Sequence, residues 1–222
     1  MSAPVFIAGH SLGAARACLY AYSRVKRGLP VDGVYTWGCP RPGNSALGSA
    51  LSSVPIWRDI RNYAGPFPDF DLVTAVPFDV EPLFDYCRVV RFENCDEAPA
   101  PNDPWGLFRY HHIQLYQAGC RKLPPTGSGA AVELVEAVDA TADLYSNAGP
   151  WDWQHFVNGQ YWGMRTMPTG ARLLIARGST TELDWIDDLR TVQCQIDGGA
   201  WVSEGFWAGI GPILPALDGA LA

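Results

Sequence analysis

The sequence has no long apolar run and few basic residues. No stretch approaches the roughly 20 apolar residues that a membrane-spanning helix needs. Lys and Arg together number 16 against 23 Asp and Glu, which gives a net charge of −7. This acidic balance argues against nucleic acid as a partner and against tight docking to an anionic membrane. No signal peptide is visible at the present N-terminus, so we expect a soluble protein and leave its compartment open.

The six cysteines are scattered, and none forms a Cys-x-x-Cys pair. Because zinc ligands usually come in such pairs, no metal site is expected, and no cofactor is implied elsewhere. A disulfide framework is typical of small secreted chains rather than of a chain of 222 residues. We therefore expect buried free thiols.

Apolar residues make up 48% of the chain and charged residues 18%, enough for a sizeable core in a single domain, 1–222. Short apolar runs alternate with helical patterns, which predicts an α/β fold with a mostly parallel central sheet and helices on both faces. A Pro-, Gly- and Ser-rich stretch at 124–129 is typical of a linker between the halves 1–123 and 130–222. Strands are predicted at 5–8, 33–37, 56–63, 88–92 and 172–176, and helices at 14–27 and 131–145.

The segment from Gly9 to Gly13 reads Gly-His-Ser-Leu-Gly and lies between a predicted strand and a predicted helix. This arrangement is typical of a nucleophile elbow, in which a tight turn exposes the Ser11 hydroxyl above the sheet edge. Side chains at the two glycine positions would clash with the neighbouring strand and helix. The N–H of Leu12, at the start of the helix, can donate to an oxyanion.

A serine nucleophile needs a base, and the base needs an orienting carboxylate. Of the four histidines, His10 lies inside the elbow and His155 lies among tryptophans, so His111 and His112 are the candidate bases. In elbow hydrolases the acid falls between the serine and the histidine in the chain. Asp69 and Asp71 both meet that condition.

These segments resemble the class 3 lipases, the fungal-lipase-like branch of the α/β-hydrolases. The elbow, the segment Trp37–Asn44 and the acid loop at 71–77 are similar to motifs of that family, although Thr74 stands where Pro is usual. The resemblance implies Asp71 as the acid. The Tyr-x-His pattern at 110–112 favours His112 as the base, whereas counting back from Tyr116 favours His111.

The second half of the chain resembles the part of the family that normally precedes the elbow. Residues 173–179 are similar to the strand and Arg-Gly-Ser loop that supply an oxyanion donor, which implies Ser179 for that role. Residues 180–189 are similar to the lid, and Trp185 is the expected lid contact with lipid or acyl chain. Ser203 stands where the family has a histidine.

The order of these pieces indicates a circular permutation, because reading Ala222 into Met1 restores the order of the family. The resemblance implies a serine hydrolase that cleaves lipid-type carboxylic esters through a Ser-His-Asp triad and an acyl-enzyme. An acyltransferase of the same fold and a catalytically silent binding module are the alternatives. We expect a small-molecule or lipid ester as substrate, transient contact with a lipid interface, and either a monomer or a domain-swapped dimer.

Overall fold

The structure is a computed structural model. It describes residues 2–61, 71–75, 88–92, 111–122, 132–157, 160–179, 193–196 and 199–222. Asp69, the linker at 124–129 and the lid segment with Trp185 lie outside the described residues.

A seven-stranded sheet forms the centre of the fold, in the strand order β4-β3-β2-β1-β7-β6-β5. The five strands from β4 to β7 in that order are parallel, and β6 and β5 add an antiparallel edge. The strands of this sheet are β1 (Val5–His10), β2 (Gly33–Trp37), β3 (Ile56–Arg61), β4 (Arg88–Phe92), β5 (Trp153–Val157), β6 (Gln160–Thr166) and β7 (Arg172–Ala176). A separate hairpin consists of β8 (Gln193–Gln195) and β9 (Trp201–Ser203).

Helices cover both faces of the sheet, as the sequence predicts. Successive residues of β1 alternate between two cores: Val5 and Ile7 pack with α1, and Phe6 and Ala8 pack with α3 and α4. Both faces of β1 are therefore apolar, which explains its continuous apolar sequence. The helices are α1 (Leu12–Lys26), α2 (Ser45–Ala50), α3 (Ile113–Lys122), α4 (Leu134–Ser146), α5 (Glu204–Ala208) and α6 (Leu214–Ala220).

The carboxyl ends of β1, β2 and β7 meet at one edge of the sheet. His10 pairs with Trp37 of β2, and Gly9 pairs with Ala176 of β7. The segments that follow these three strands begin with Ser11, Gly38 and Arg177. In open parallel sheets this edge is the usual place for a ligand site.

The C-terminal segment 204–220 consists of two short helices rather than one. A short 3₁₀ turn at Gly211–Ile213 separates α5 from α6. Pro212 lies in the 3₁₀ turn, and Pro215 lies in the first turn of α6. Asp218 of α6 accepts hydrogen bonds from Arg24 of α1 and from Arg27, the residue after α1, which attaches the C-terminal segment to the first helix. Among the helices of the described ranges, none is both long and apolar enough to cross a membrane.

Candidate active site

Ser11 occupies a strained turn between β1 and α1. Its backbone has φ 61° and ψ −135°, a region that residues other than glycine rarely adopt. Two hydrogen bonds fix the turn: the Ser11 N–H donates to Trp37 O at 2.9 Å, and the Ala14 N–H donates to Ser11 O at 2.9 Å. Strain that the surroundings impose in this way is typical of functional sites.

The two glycines of the elbow are required by close backbone contacts. A Cβ atom at position 9 would lie 2.4 Å from Gly13 O, inside the first turn of α1. A Cβ atom at position 13 would lie 2.1 Å from Ala176 O, at the end of β7. The sequence-based explanation of the Gly-x-Ser-x-Gly spacing is confirmed, since one clash is with the helix and the other with a neighbouring strand.

Asp71 and His111 form a buried pair next to the elbow. Nδ1 of His111 lies 2.8 Å from Oδ2 of Asp71, whose side chain is fully buried. The same oxygen accepts a hydrogen bond from Tyr116, and Oδ1 accepts the Val73 N–H at 3.0 Å. A carboxylate with these donors is well suited to orient an imidazole through Nδ1–H.

Of the two neighbouring histidines, His111 has a described contact with Asp71, and it is the residue that the register counted from Tyr116 favours. The register that favours His112 stays a prediction. His112 directly precedes α3, and its carbonyl accepts the Leu115 N–H at 3.0 Å in the first turn of the helix. His111 and Tyr116, from the two sides of this helix start, meet on one carboxylate oxygen.

The Asp71–His111 pair packs against Gly38, close to the elbow. Gly38 follows Trp37, the residue whose carbonyl binds Ser11, and has φ 56°. A Cβ atom at position 38 would lie 2.8 Å from Cε1 of His111 and 2.9 Å from Oδ2 of Asp71. The pair therefore packs directly on the end of β2, one residue from the hydrogen bond to Ser11.

Arg58 of β3 stabilises the acid loop through hydrogen bonds to backbone carbonyls. Its guanidinium donates to Cys39 O at 2.8 Å and to Thr74 O at 3.2 Å, and Arg58 itself is buried. Thr74 in turn donates through its hydroxyl to Asp71 O at 2.8 Å. Thr74, in the position where the family usually has proline, therefore closes the turn that carries the acid.

The loop after β7 lies against Ser11. A Cβ atom at position 178 would lie 2.8 Å from the Ser11 Cβ and 2.7 Å from His10 O, so only glycine fits there. Ser179, the predicted oxyanion residue, is the next residue of this loop. Leu12, the other predicted donor, is the first residue of α1, where N–H groups have no acceptor within the helix.

Several residues around the site are not evident as site residues in the sequence. Gly38 belongs to the segment Trp37–Asn44, which the sequence singles out only by its similarity to a family motif, and Arg58 belongs to β3, whose sequence indicates only a strand. Tyr145 belongs to the apolar face of α4, and its hydroxyl accepts the Gly178 N–H, a contact that the pattern of the helix does not indicate. Asp69 and Trp185, which the sequence also singles out, lie outside the described residues.

Residues 2–81 match the sequence profile of a family described as Lipase (class 3). The matched stretch includes Ser11, Leu12 and Asp71. No curated protein and no solved structure shows a significant match to the chain. Residues 2–81 are thus similar to the class 3 lipases, and this match, the elbow and the mostly parallel sheet agree with an α/β-hydrolase fold.

Proposed function

We propose that the protein hydrolyses carboxylic esters with Ser11 as nucleophile, His111 as general base and Asp71 as the residue that orients the base. The observation that carries this proposal is the 2.8 Å contact between Asp71 and His111 beside a strained serine turn. We choose His111 over His112, which the sequence pattern favours, because Nδ1 of His111 lies 2.8 Å from the acid. A neutral imidazole held through Nδ1–H accepts a proton at Nε2.

In the proposed mechanism, Ser11 Oγ attacks the ester carbonyl carbon while Nε2 of His111 takes the hydroxyl proton. The carbonyl π electrons move to oxygen and give a tetrahedral oxyanion. As the intermediate collapses, the ester C–O bond breaks and His111 returns the proton to the leaving alcohol. Water then attacks the acyl-enzyme with the same proton transfers and releases the acid and free Ser11.

The proposed oxyanion donors are the N–H groups of Leu12 and Ser179. Leu12 lies at the amino end of α1, where the helix dipole also favours negative charge. The contact between positions 178 and 11 supports a role for Ser179, because it brings the loop after β7 to the nucleophile. Loss of one such donor typically lowers the rate about 10²- to 10³-fold.

Trp185 stays the proposed apolar contact for the acyl chain. Its contribution is tested by comparing Trp185→Ala with the parent on p-nitrophenyl esters of increasing acyl length. We expect kcat/KM to fall for long acyl chains and to change little for acetate, since burial of apolar surface grows with chain length. An equal effect on every ester would contradict the assignment.

The first experiment measures hydrolysis of the same ester series by the parent, by Ser11→Ala and by the control Ser23→Ala. Ser23 is a buried serine near the far end of α1. We expect Ser11→Ala to lower kcat about 10⁴-fold or more and Ser23→Ala to leave it within a few-fold. A fluorophosphonate probe should label the parent and Ser23→Ala once per chain, and Ser11→Ala not at all.

The outcomes separate the alternative functions. A folded parent that neither turns over esters nor reacts with the probe would be a binding module, and the proposal would be wrong. A parent that reacts with the probe and transfers the acyl group to added alcohol much faster than to water would be an acyltransferase.

A further inference from the structure

Three hydrogen bonds connect the loop after β7, helix α4, the elbow and the start of α3. The Gly178 N–H donates to the Tyr145 hydroxyl oxygen at 3.0 Å. That hydroxyl lies 2.8 Å from Nδ1 of His10, and Nε2 of His10 lies 2.6 Å from the carbonyl oxygen of His111. The chain of bonds thus runs from the residue before Ser179 to the backbone of His111, through the residue before Ser11.

Each bond has one direction that chemistry allows. A backbone carbonyl only accepts, so Nε2 of His10 carries a hydrogen and donates to His111 O. In a neutral ring Nδ1 then accepts, and the Tyr145 O–H donates to it. The Tyr145 oxygen in turn accepts the Gly178 N–H. The three donors and three acceptors therefore match completely.

The surroundings favour the neutral form of His10 that this pattern needs. Burial, above all, lowers the pKa of His10 well below 6.5, and the neighbouring imidazoles of His111 and His112 lower it further. Burial also raises the pKa of Tyr145, so its hydroxyl keeps its proton. Among the residues that the structure describes, Tyr116 also faces the His10 ring, with the ring centroids 5.7 Å apart.

We propose that His10 and Tyr145 are positioning residues that set the oxyanion loop and the general base relative to Ser11. This inference rests on the proposed function. It also assigns the roles within the loop: the N–H of Gly178 is used by Tyr145, and Ser179 supplies the oxyanion donor. The role is positional because neither side chain is required to exchange a proton with substrate.

Because these groups are closely packed, the positions of His111 and of the loop after β7 relative to Ser11 depend on the three hydrogen bonds. The rings of His10 and His111 stack at 4.6 Å, so a movement of one shifts the other. At position 178, a Cβ atom would come within 2.8 Å of the backbone of His10, the Tyr145 hydroxyl and Ser11. Displacement of a catalytic group by about 1 Å can cost 10²-fold in rate.

The first test compares Tyr145→Phe with the control Tyr35→Phe. Tyr35 is a buried tyrosine, and its hydroxyl donates to Val132 O at 2.6 Å, outside the chain of bonds that joins Gly178 to His111. Active chains are counted by stoichiometric labelling of Ser11 with a fluorophosphonate, and kcat is expressed per labelled chain. We expect Tyr145→Phe to lower kcat about 10- to 100-fold with little change in KM, and Tyr35→Phe to lower thermal stability without lowering kcat.

The second test compares His10→Gln with His10→Leu. The glutamine amide can donate to His111 O and accept from Tyr145, whereas leucine can do neither. We expect kcat per labelled chain to be at least about tenfold higher for His10→Gln than for His10→Leu. A role in packing alone would predict equal kcat for the two variants.

Imidazole ¹⁵N spectra give an independent readout. The signals of His10 are assigned by their loss in His10→Gln. They should be those of a neutral ring with its hydrogen on Nε2, even at pH values at which an exposed histidine is charged. A ring protonated at Nδ1 would overturn the inference. An unchanged kcat per labelled chain in Tyr145→Phe would also overturn the inference. A parent protein that the fluorophosphonate does not label at Ser11 would overturn the proposed function instead.

Discussion

Nδ1 of His111 lies 2.8 Å from Oδ2 of Asp71, and Tyr116 donates to the same oxygen. These three side chains come from an acid loop and from the two sides of the start of α3. His112, although adjacent to His111, contributes its carbonyl to the first turn of that helix. Two neighbouring histidines thus have different environments, and the difference can be tested directly.

The two single variants His111→Ala and His112→Ala should differ greatly in activity. We expect His111→Ala to lower kcat about 10⁴-fold, because both the proton acceptor and the partner of Asp71 are lost. For His112→Ala we expect a loss below about tenfold, since its carbonyl contact is retained. Ester hydrolysis by both purified variants, with circular dichroism as the folding control, measures this; a reversed order would restore His112 as the base.

Gly38→Ala should damage activity more than stability. The added methyl group would meet His111 and Asp71 at under 3 Å, so the pair must shift from its present position. Gly28→Ala is the matched control, because Gly28 also has a positive φ, 69°, but has open space around its Cβ position. Both variants share the backbone strain, about 1 kcal/mol or more.

We therefore expect Gly38→Ala to lose more unfolding free energy than Gly28→Ala, since only it also displaces a buried pair, and we expect a loss of kcat of about 10²-fold for Gly38→Ala alone. Urea denaturation and ester hydrolysis measure the two quantities. Equal activity of the two variants would show that the Asp71–His111 pair is not part of the reacting site.

Stability should decrease at mildly acidic pH through His10. Burial lowers the pKa of His10 below 6.5, so the unfolded chain binds a proton there and the folded chain does not. The stabilisation is complete above about pH 6.5 and is lost as the pH falls below that value, by up to about 1.4 kcal/mol per pH unit.

His10→Gln removes this titration while His111, His112 and Asp71 remain in both proteins. We expect the variant to be less stable than the parent at about pH 7.5, with a difference that narrows toward about pH 5. Urea denaturation across this range measures the two unfolding free energies. A constant difference would mean that His10 has the same pKa in the folded and unfolded states, and a difference that widens toward about pH 5 would mean that His10 is charged in the folded state.

The first and last segments of the chain lie close together, at the amino ends of β1 and β7. The Arg172 N–H donates to Pro4 O at 2.8 Å, and the Arg172 guanidinium donates to Leu221 O. We propose that the order of segments is permuted relative to the family. A variant in which a short Gly-Ser linker joins residues 222 and 2, opened at 127–129, should then fold and keep its activity.

The control for that variant has the same joined ends but is opened within β2. We expect it not to fold, because β2 lies in the interior of the sheet and is buried along its whole length. Light scattering should give the mass of one chain for the parent and the reordered variant. A dimer that exchanges halves would contradict this, as would loss of folding on opening at 127–129.

Much of the fold could be predicted because it depends on local sequence. The apolar run of β1 and the glycines at positions 9 and 13 indicate an elbow from only a few residues. The strands at Gly33–Trp37 and Arg172–Ala176 have the predicted bounds. The antiparallel edge β5–β6 was not predicted, since the partner of an edge strand depends on the rest of the sheet.

The sequence by itself determined the elbow, the α/β layering and the set of candidate acids and bases, because each depends on spacing within a short segment. Only the tertiary structure decided which imidazole meets Asp71, since that contact joins residues 40 positions apart and depends on where α3 begins. It also decided the neighbours of Tyr145. A hydroxyl on an apolar helix face indicates nothing until the fold brings Gly178 and His10 to it.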